Sequence, residues 1–104
     1  MSETEYFWVV CYDIANNRRR YQVMRTLEGY GRRVQYSVFE CELTNARLDR
    51  LERALVRVIN DKEDSIRFYP LNRGDVDRVR LIGTAVLNRK PDFVYIDEDS
   101  RYPF

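Results

Sequence analysis

The run Tyr6-Phe7-Trp8-Val9-Val10-Cys11-Tyr12-Asp13-Ile14 constrains the fold more than any other feature of the chain. It is aromatic and β-branched with no helical period, so it predicts a buried central strand, and Asp13 then stands where that strand leaves the core. Asn16 or Asn17 follows as a helix cap. Tyr21, Met24, Leu27 and Tyr30 keep a three-residue spacing, and Gly29 and Gly31 mark the helix end. From Arg33 to Leu43 the pattern turns β again, with Val34, Tyr36 and Val38 alternating against Gln35, Ser37, Phe39 and Cys41. One strand of that length exceeds the usual run of about 5–6 residues, and a turn near Tyr36-Ser37 would make it a hairpin. Thr44 or Asn45 opens a second helix with the apolar stripe Leu48, Leu51, Leu55, Val58 and Ile59. Its arginines, Arg47, Arg50, Arg53 and Arg57, interleave with Asp49 and Glu52 and read as a solvated, ion-paired face. Ser65 to Leu71 is β-like around Ile66, Phe68 and Tyr69, and Pro70 ends that strand or puts it at an edge.

Strand, helix, hairpin, helix, strand is the βαββαβ order of a ferredoxin-like sandwich, an α+β fold with both helices on one face of an antiparallel sheet. A polar connection from Asn72 to Arg78 leads to Val79-Arg80-Leu81-Ile82-Gly83, and Phe93-Val94-Tyr95-Ile96 reads as one extra short strand. Such an added apolar strand covers an edge or pairs with a second chain, so a homodimer is expected. At 104 residues the chain is one domain, with a core over residues 6–97 and an acidic tail over residues 97–104. Trp8-Val9-Val10-Cys11 is far shorter than the roughly 20 residues that cross a bilayer. The expectation is a cytoplasmic protein with no membrane partner.

No histidine occurs anywhere in the sequence. Ser-His and Cys-His catalysis are thereby excluded, and Cys11 and Cys41 alone cannot make a zinc site. Both cysteines read as buried thiols. Any chemistry falls to carboxylates. The net charge of +1 hides a basic stretch between Asn16 and Gln35, where Arg18, Arg19, Arg20, Arg25, Arg32 and Arg33 face only Glu28. Three arginines in the first turn of a helix oppose its macrodipole unless an anion sits there, so Arg18, Arg19 and Arg20 are either a phosphate-binding site or solvated side chains. Asp13, just before them, is either a helix-entry cap or a ligand for Mg²⁺ or Mn²⁺, ions that prefer carboxylate oxygen and need only one or two protein carboxylates beside a phosphate. A second copy across a dimer axis would supply the second carboxylate. Tyr12 and Phe39 are either core or base-stacking aromatics. Glycine-rich phosphate loops and the RNP1 pattern are absent from the sequence.

Tyr12-Asp13-Ile14, Arg20, and the run Gly31-x-Arg33-Val34-Gln35-Tyr36-Ser37-Val38-Phe39-Glu40-Cys41 together resemble the small CRISPR-associated endoribonuclease family, the second core protein of CRISPR spacer adaptation. The resemblance covers about residues 6–97. It implies a ferredoxin-like homodimer in which Asp13, near the two-fold axis, holds Mg²⁺ and serves the metal-dependent cleavage of single-stranded RNA or double-stranded DNA. It also implies a partner, the CRISPR integrase, and a role in holding prespacer DNA for which cleavage is dispensable. By motif position it assigns Tyr12, Asp13, Arg20, Arg33 and Phe39, while Arg18 and Arg19 rest on charge alone. Some relatives carry a basic residue where this chain has Gln22. Three functions follow for test: a metal-dependent endonuclease, a non-catalytic dimeric scaffold bridging integrase and prespacer DNA, and a plain RNA-binding module with aromatics exposed on its sheet.

Overall fold

The computed structural model describes residues 3–83. Strands β1 (Glu5–Asp13), β2 (Gly31–Gln35), β3 (Val38–Thr44) and β4 (Ser65–Leu71) alternate with helices α1 (Asn17–Glu28) and α2 (Asn45–Val56), and a single-turn helix α3 (Arg73–Val76) follows β4. The strands form one sheet in the order β2-β3-β1-β4. Each neighbouring pair is antiparallel, with Val10 opposite Phe39 on one side and Phe68 on the other. This is the ferredoxin-like arrangement that the element order predicts. The expected strand over Phe93–Ile96 and the acidic tail lie outside the described residues.

Local chemistry explains each boundary. The Asn16 side chain accepts from the Arg19 amide at 2.9 Å and caps α1, and Thr44 does the same for α2 through the Arg47 amide at 3.2 Å. β2 and β3 are joined by a turn at Tyr36-Ser37, so the long β segment is a hairpin. Gly31 opens β2 where the strand runs hard against β3, and a Cβ there would collide with the Cys41 sulfur and the Glu40 carbonyl. Pro70 sits within β4, at the edge of the sheet among the described residues, where its missing N–H costs no bond to β1.

The strand period of two separates the sheet into unlike faces. Val10 and Tyr12 from β1 and Phe39, Cys41 and Leu43 from β3 meet Val23 and Leu27 of α1 and Leu51 and Leu55 of α2 in one core. Trp8 packs edge-on against Phe68, ring centroids 6.3 Å apart, at the border of that core. Tyr21, expected on the apolar stripe of α1, is exposed; the buried pair is Val23 and Leu27, which share a face four residues apart. Arg47 also departs from expectation. Rather than joining a solvated face, its guanidinium lies 4.8 Å from the centre of the Tyr30 ring and donates to the Gly29 carbonyl at 3.1 Å, tying α2 to the end of α1. Burial pushes the Cys41 thiol up to about 11, and both cysteines are free.

Candidate nucleic-acid interface at the end of the first strand

Asp13 is the last residue of β1, opposite Ser65 of β4. Because strand residues alternate, its carboxylate and the side chains of Cys11, Val9 and Phe7 stand on the face away from the helices, while Tyr12 points into the core. The Asp13 side chain is exposed and enters no hydrogen bond or ion pair among the described residues. No cluster of three or more metal-ligating side chains occurs among the described residues. A single chain thus offers one free carboxylate at this point, a donor set that suits a hard divalent cation only in company with a second carboxylate, a phosphate and water.

Tyr12, Arg33 and Phe39 are brought together around the hairpin turn, on the helix side of the sheet and so on the face opposite the Asp13 side chain. The Tyr36 carbonyl accepts from the Tyr12 hydroxyl at 3.2 Å and from Arg33 through Nε at 3.1 Å and Nη2 at 2.7 Å. The Tyr12 amide donates to the Ser37 carbonyl at 3.1 Å, and the Arg33 guanidinium lies 5.3 Å from the Tyr36 ring centre. Burial pushes the Tyr12 phenol above its ordinary value, against the opposing pull of Arg33. Arg33 itself remains exposed. Phe39, expected as a nucleic-acid contact, is 0% exposed, and its ring lies 6.4 Å from that of Tyr12. A side chain with no accessible surface packs the fold and offers nothing to a base. Tyr12, 6% exposed, likewise holds the turn rather than presenting a stacking face.

The arginines at the start of α1 divide into two kinds. Arg18 is exposed and enters no ion pair among the described residues. Arg19, expected to bind phosphate, is occupied inside the molecule: Nε meets Asp64 Oδ2 at 2.7 Å, Nη2 meets Asp64 Oδ1 at 3.2 Å, and Nη2 also meets Glu63 at 2.9 Å. Arg20 donates to the Ile14 carbonyl at 2.9 Å and to the Asn17 side chain. The unfavourable dipole of a basic helix start is therefore offset here by Asp64 and Glu63 of this chain. The side chain of Asp64 is wholly buried. Its hydrogen bond from Arg19 outweighs the cost of burial and holds the carboxyl well below the usual carboxylate range. Sequence reasoning misses Asp64, since an acidic turn such as Asn60-Asp61-Lys62-Glu63-Asp64 reads as solvated and nothing in it marks a partner far along the chain.

The open face carries the remaining signal. Phe7, Val9, Cys11 and Val38 form a half-buried apolar stripe, extended by Leu71 and by Tyr69, which is 47% exposed. Arg32, Glu40, Glu42 and Arg67 stand around it on the same face. No described helix is long and apolar enough to cross a membrane.

Fold and site together define a small ferredoxin-like domain that presents one strand-end carboxylate on the sheet face away from its two long helices. The chain belongs to the family described as CRISPR associated protein Cas2, which matches residues 6–79. It is 41% identical over 91 residues to a Synechocystis protein named CRISPR-associated endoribonuclease Cas2 3, covering 88% of this chain and 99% of that one. The crystal structure of Streptococcus pyogenes Cas2 superposes with a TM-score of 0.68 at 36% identity, over 74% of this chain and 99% of that one. A chain of a partial Cas6-RT-Cas1–Cas2 complex superposes with a TM-score of 0.66 at 29% identity, over 80% of this chain and 99% of that one.

Proposed function

We propose that this chain is a CRISPR adaptation protein that works as a homodimer and hydrolyses phosphodiester bonds of single-stranded RNA or duplex DNA at paired Asp13 carboxylates. The observation that carries the reading is the free Asp13 carboxylate at the rim of a half-buried apolar sheet face on which neither α1 nor α2 packs. A second copy laid on that face would bury the Phe7, Val9 and Cys11 stripe. Arg32 and Arg67 beside Glu40 and Glu42 suit such pairing, because a patch holding both signs complements itself across a two-fold axis. The relatives named endoribonucleases and the complex containing Cas1 support the same role.

Within this reading Asp13 of each copy would hold Mg²⁺ or Mn²⁺. When bound, the ion supplies an activated water and charge neutralisation at the phosphoryl oxygens. The protein's share is positioning: Asp13 is fixed by strand pairing, and the exposed Arg18 and Arg33 supply positive charge for the phosphate backbone. A Mg²⁺-dependent cleavage time course on both substrates, comparing wild type with Asp13→Asn, tests this. Loss of about a hundredfold or more in rate is expected, with thermal stability unchanged. Equal cleavage by the two proteins would remove Asp13 from the chemistry.

A second reading, a non-catalytic scaffold between integrase and prespacer DNA, is favoured by the single free carboxylate that each chain offers at this point. It predicts that Arg18→Glu with Arg33→Glu weakens duplex binding and flattens its salt dependence even where no cleavage occurs, and an unchanged salt slope would refute it.

A further inference from the structure

The peptide group joining Ile14 to Ala15 follows directly on Asp13's neighbour, and both of its polar atoms are held by side chains. Its carbonyl accepts from Arg20 Nη2 at 2.9 Å, and its N–H donates to Asp64 Oδ1 at 2.9 Å. Asp64 has no capacity to spare. Oδ1 takes the Ala15 amide and Arg19 Nη2, while Oδ2 takes Arg19 Nε at 2.7 Å and the Asn60 amide at 2.9 Å. Each oxygen thus serves two donors, which is how a carboxylate can stay ionised with its side chain out of water.

Where these bonds go matters more than their number. One set grips the chain immediately after Asp13. The other fixes the end of the α2–β4 loop, and Asp64 directly precedes Ser65, the cross-strand partner of Asp13. A buried ion pair is a weak device for stability alone, because apolar residues of like volume hold a fold as well or better. It is a good device for fixing direction, since the planar fork of Arg19 admits one arrangement.

We propose that Asp64, with Arg19 and Arg20, forms a clamp on the Ile14–Ala15 peptide that positions the Asp13 carboxylate for its reaction. The clamp rests on the reading of Asp13 as the reactive carboxylate, and Asp64 acts only through it. Asp64→Asn keeps the shape but turns a donor toward Arg19 or a backbone amide, and Arg19→Lys keeps the charge but loses the fork. Each variant of the full chain is studied well below its melting temperature by cleavage kinetics and by hydrogen exchange at the Ala15 amide.

In Asp64→Asn, Ala15 exchange rises about tenfold or more. kcat falls about 10–100-fold, the usual range for residues that orient a ligand-bearing group, with KM within about twofold. In an Asp13→Asn background the same substitution changes cleavage no further. Arg19→Lys gives a smaller loss of the same kind and decides the matter should Asp64→Asn fail to fold. Faster exchange with unchanged kcat would reduce the clamp to a structural tie, and unchanged exchange would overturn it altogether. If Asp13→Asn itself cleaves like wild type, the reactive role of Asp13 and the positioning built on it both fall, whereas faster Ala15 exchange would still show that the tie exists.

Discussion

The two faces of the same sheet are built to different degrees of completion. Toward the helices, Val10, Phe39 and Leu43 are 0% exposed and pack against α1 and α2 of the same chain. Away from them, Phe7, Val9 and Cys11 are only half-buried, with the short α3 lying against the Phe7 end of the row and the exposed Asp13 at the other. One period-two pattern in β1 serves both faces, so a single strand carries the stability of the fold on its even residues and the proposed functional surface on its odd ones. The lesson is that the face closed by the long helices holds the fold, and the half-closed face is where the proposed function falls.

The comparison breaks most readily at its core. Phe39→Ala should lower the free energy of unfolding by about 3–5 kcal/mol in a urea titration, whereas Val9→Ala should cost less than half of that and only at protein concentrations that favour the dimer. Equal, concentration-independent losses would show that the two faces are alike.

Acid sharpens the contrast at the edge of the covered face. The folded pKa of Asp64 lies below its unfolded value, so its contribution to stability is complete above the ordinary carboxylate value of about 4 and is lost as pH falls toward the folded one. Thermal melts should therefore be insensitive to this group at neutral pH and decline in strong acid, and Asp64→Asn should remove that part of the decline. A loss already present near pH 6 would contradict the arrangement.

The smallest effect is read by thiol labelling. Cys41, on the covered face with its pKa pushed up to about 11 by burial, should react only through unfolding. Cys11, raised by burial to a lesser depth on the open face, should react first and more slowly as protein concentration rises. Concentration-independent labelling of Cys11 would argue that nothing covers that face.

Much of the fold is legible in the amino-acid sequence alone. Asn16 and Thr44 announce their helices, the hairpin follows from strand length, and Leu51 and Leu55 follow from a 3.6-residue period, because each depends on neighbours in sequence. Asp13 stands out because a carboxylate at the end of an apolar run is locally anomalous. Phe39 and Arg19 are different. Which side of a strand an aromatic faces is set by pairing register, and whether an arginine is free is set by what the fold brings to it, here an aspartate 45 residues away. The glycine at position 31 signals a turn but serves a close strand approach, a fact visible only once Cys41 lies beside it.

Paired Asp13 carboxylates are the centre of this account, and mixing experiments address them directly. Wild-type and Asp13→Asn chains, unfolded and refolded together in varying proportion, are assayed for Mg²⁺-dependent cleavage at constant total protein. If both copies must contribute a carboxylate, activity follows the square of the wild-type fraction, so an equal mixture retains about one quarter of full activity. A fall in simple proportion, to about one half, would mean that each chain works alone and would contradict the shared site.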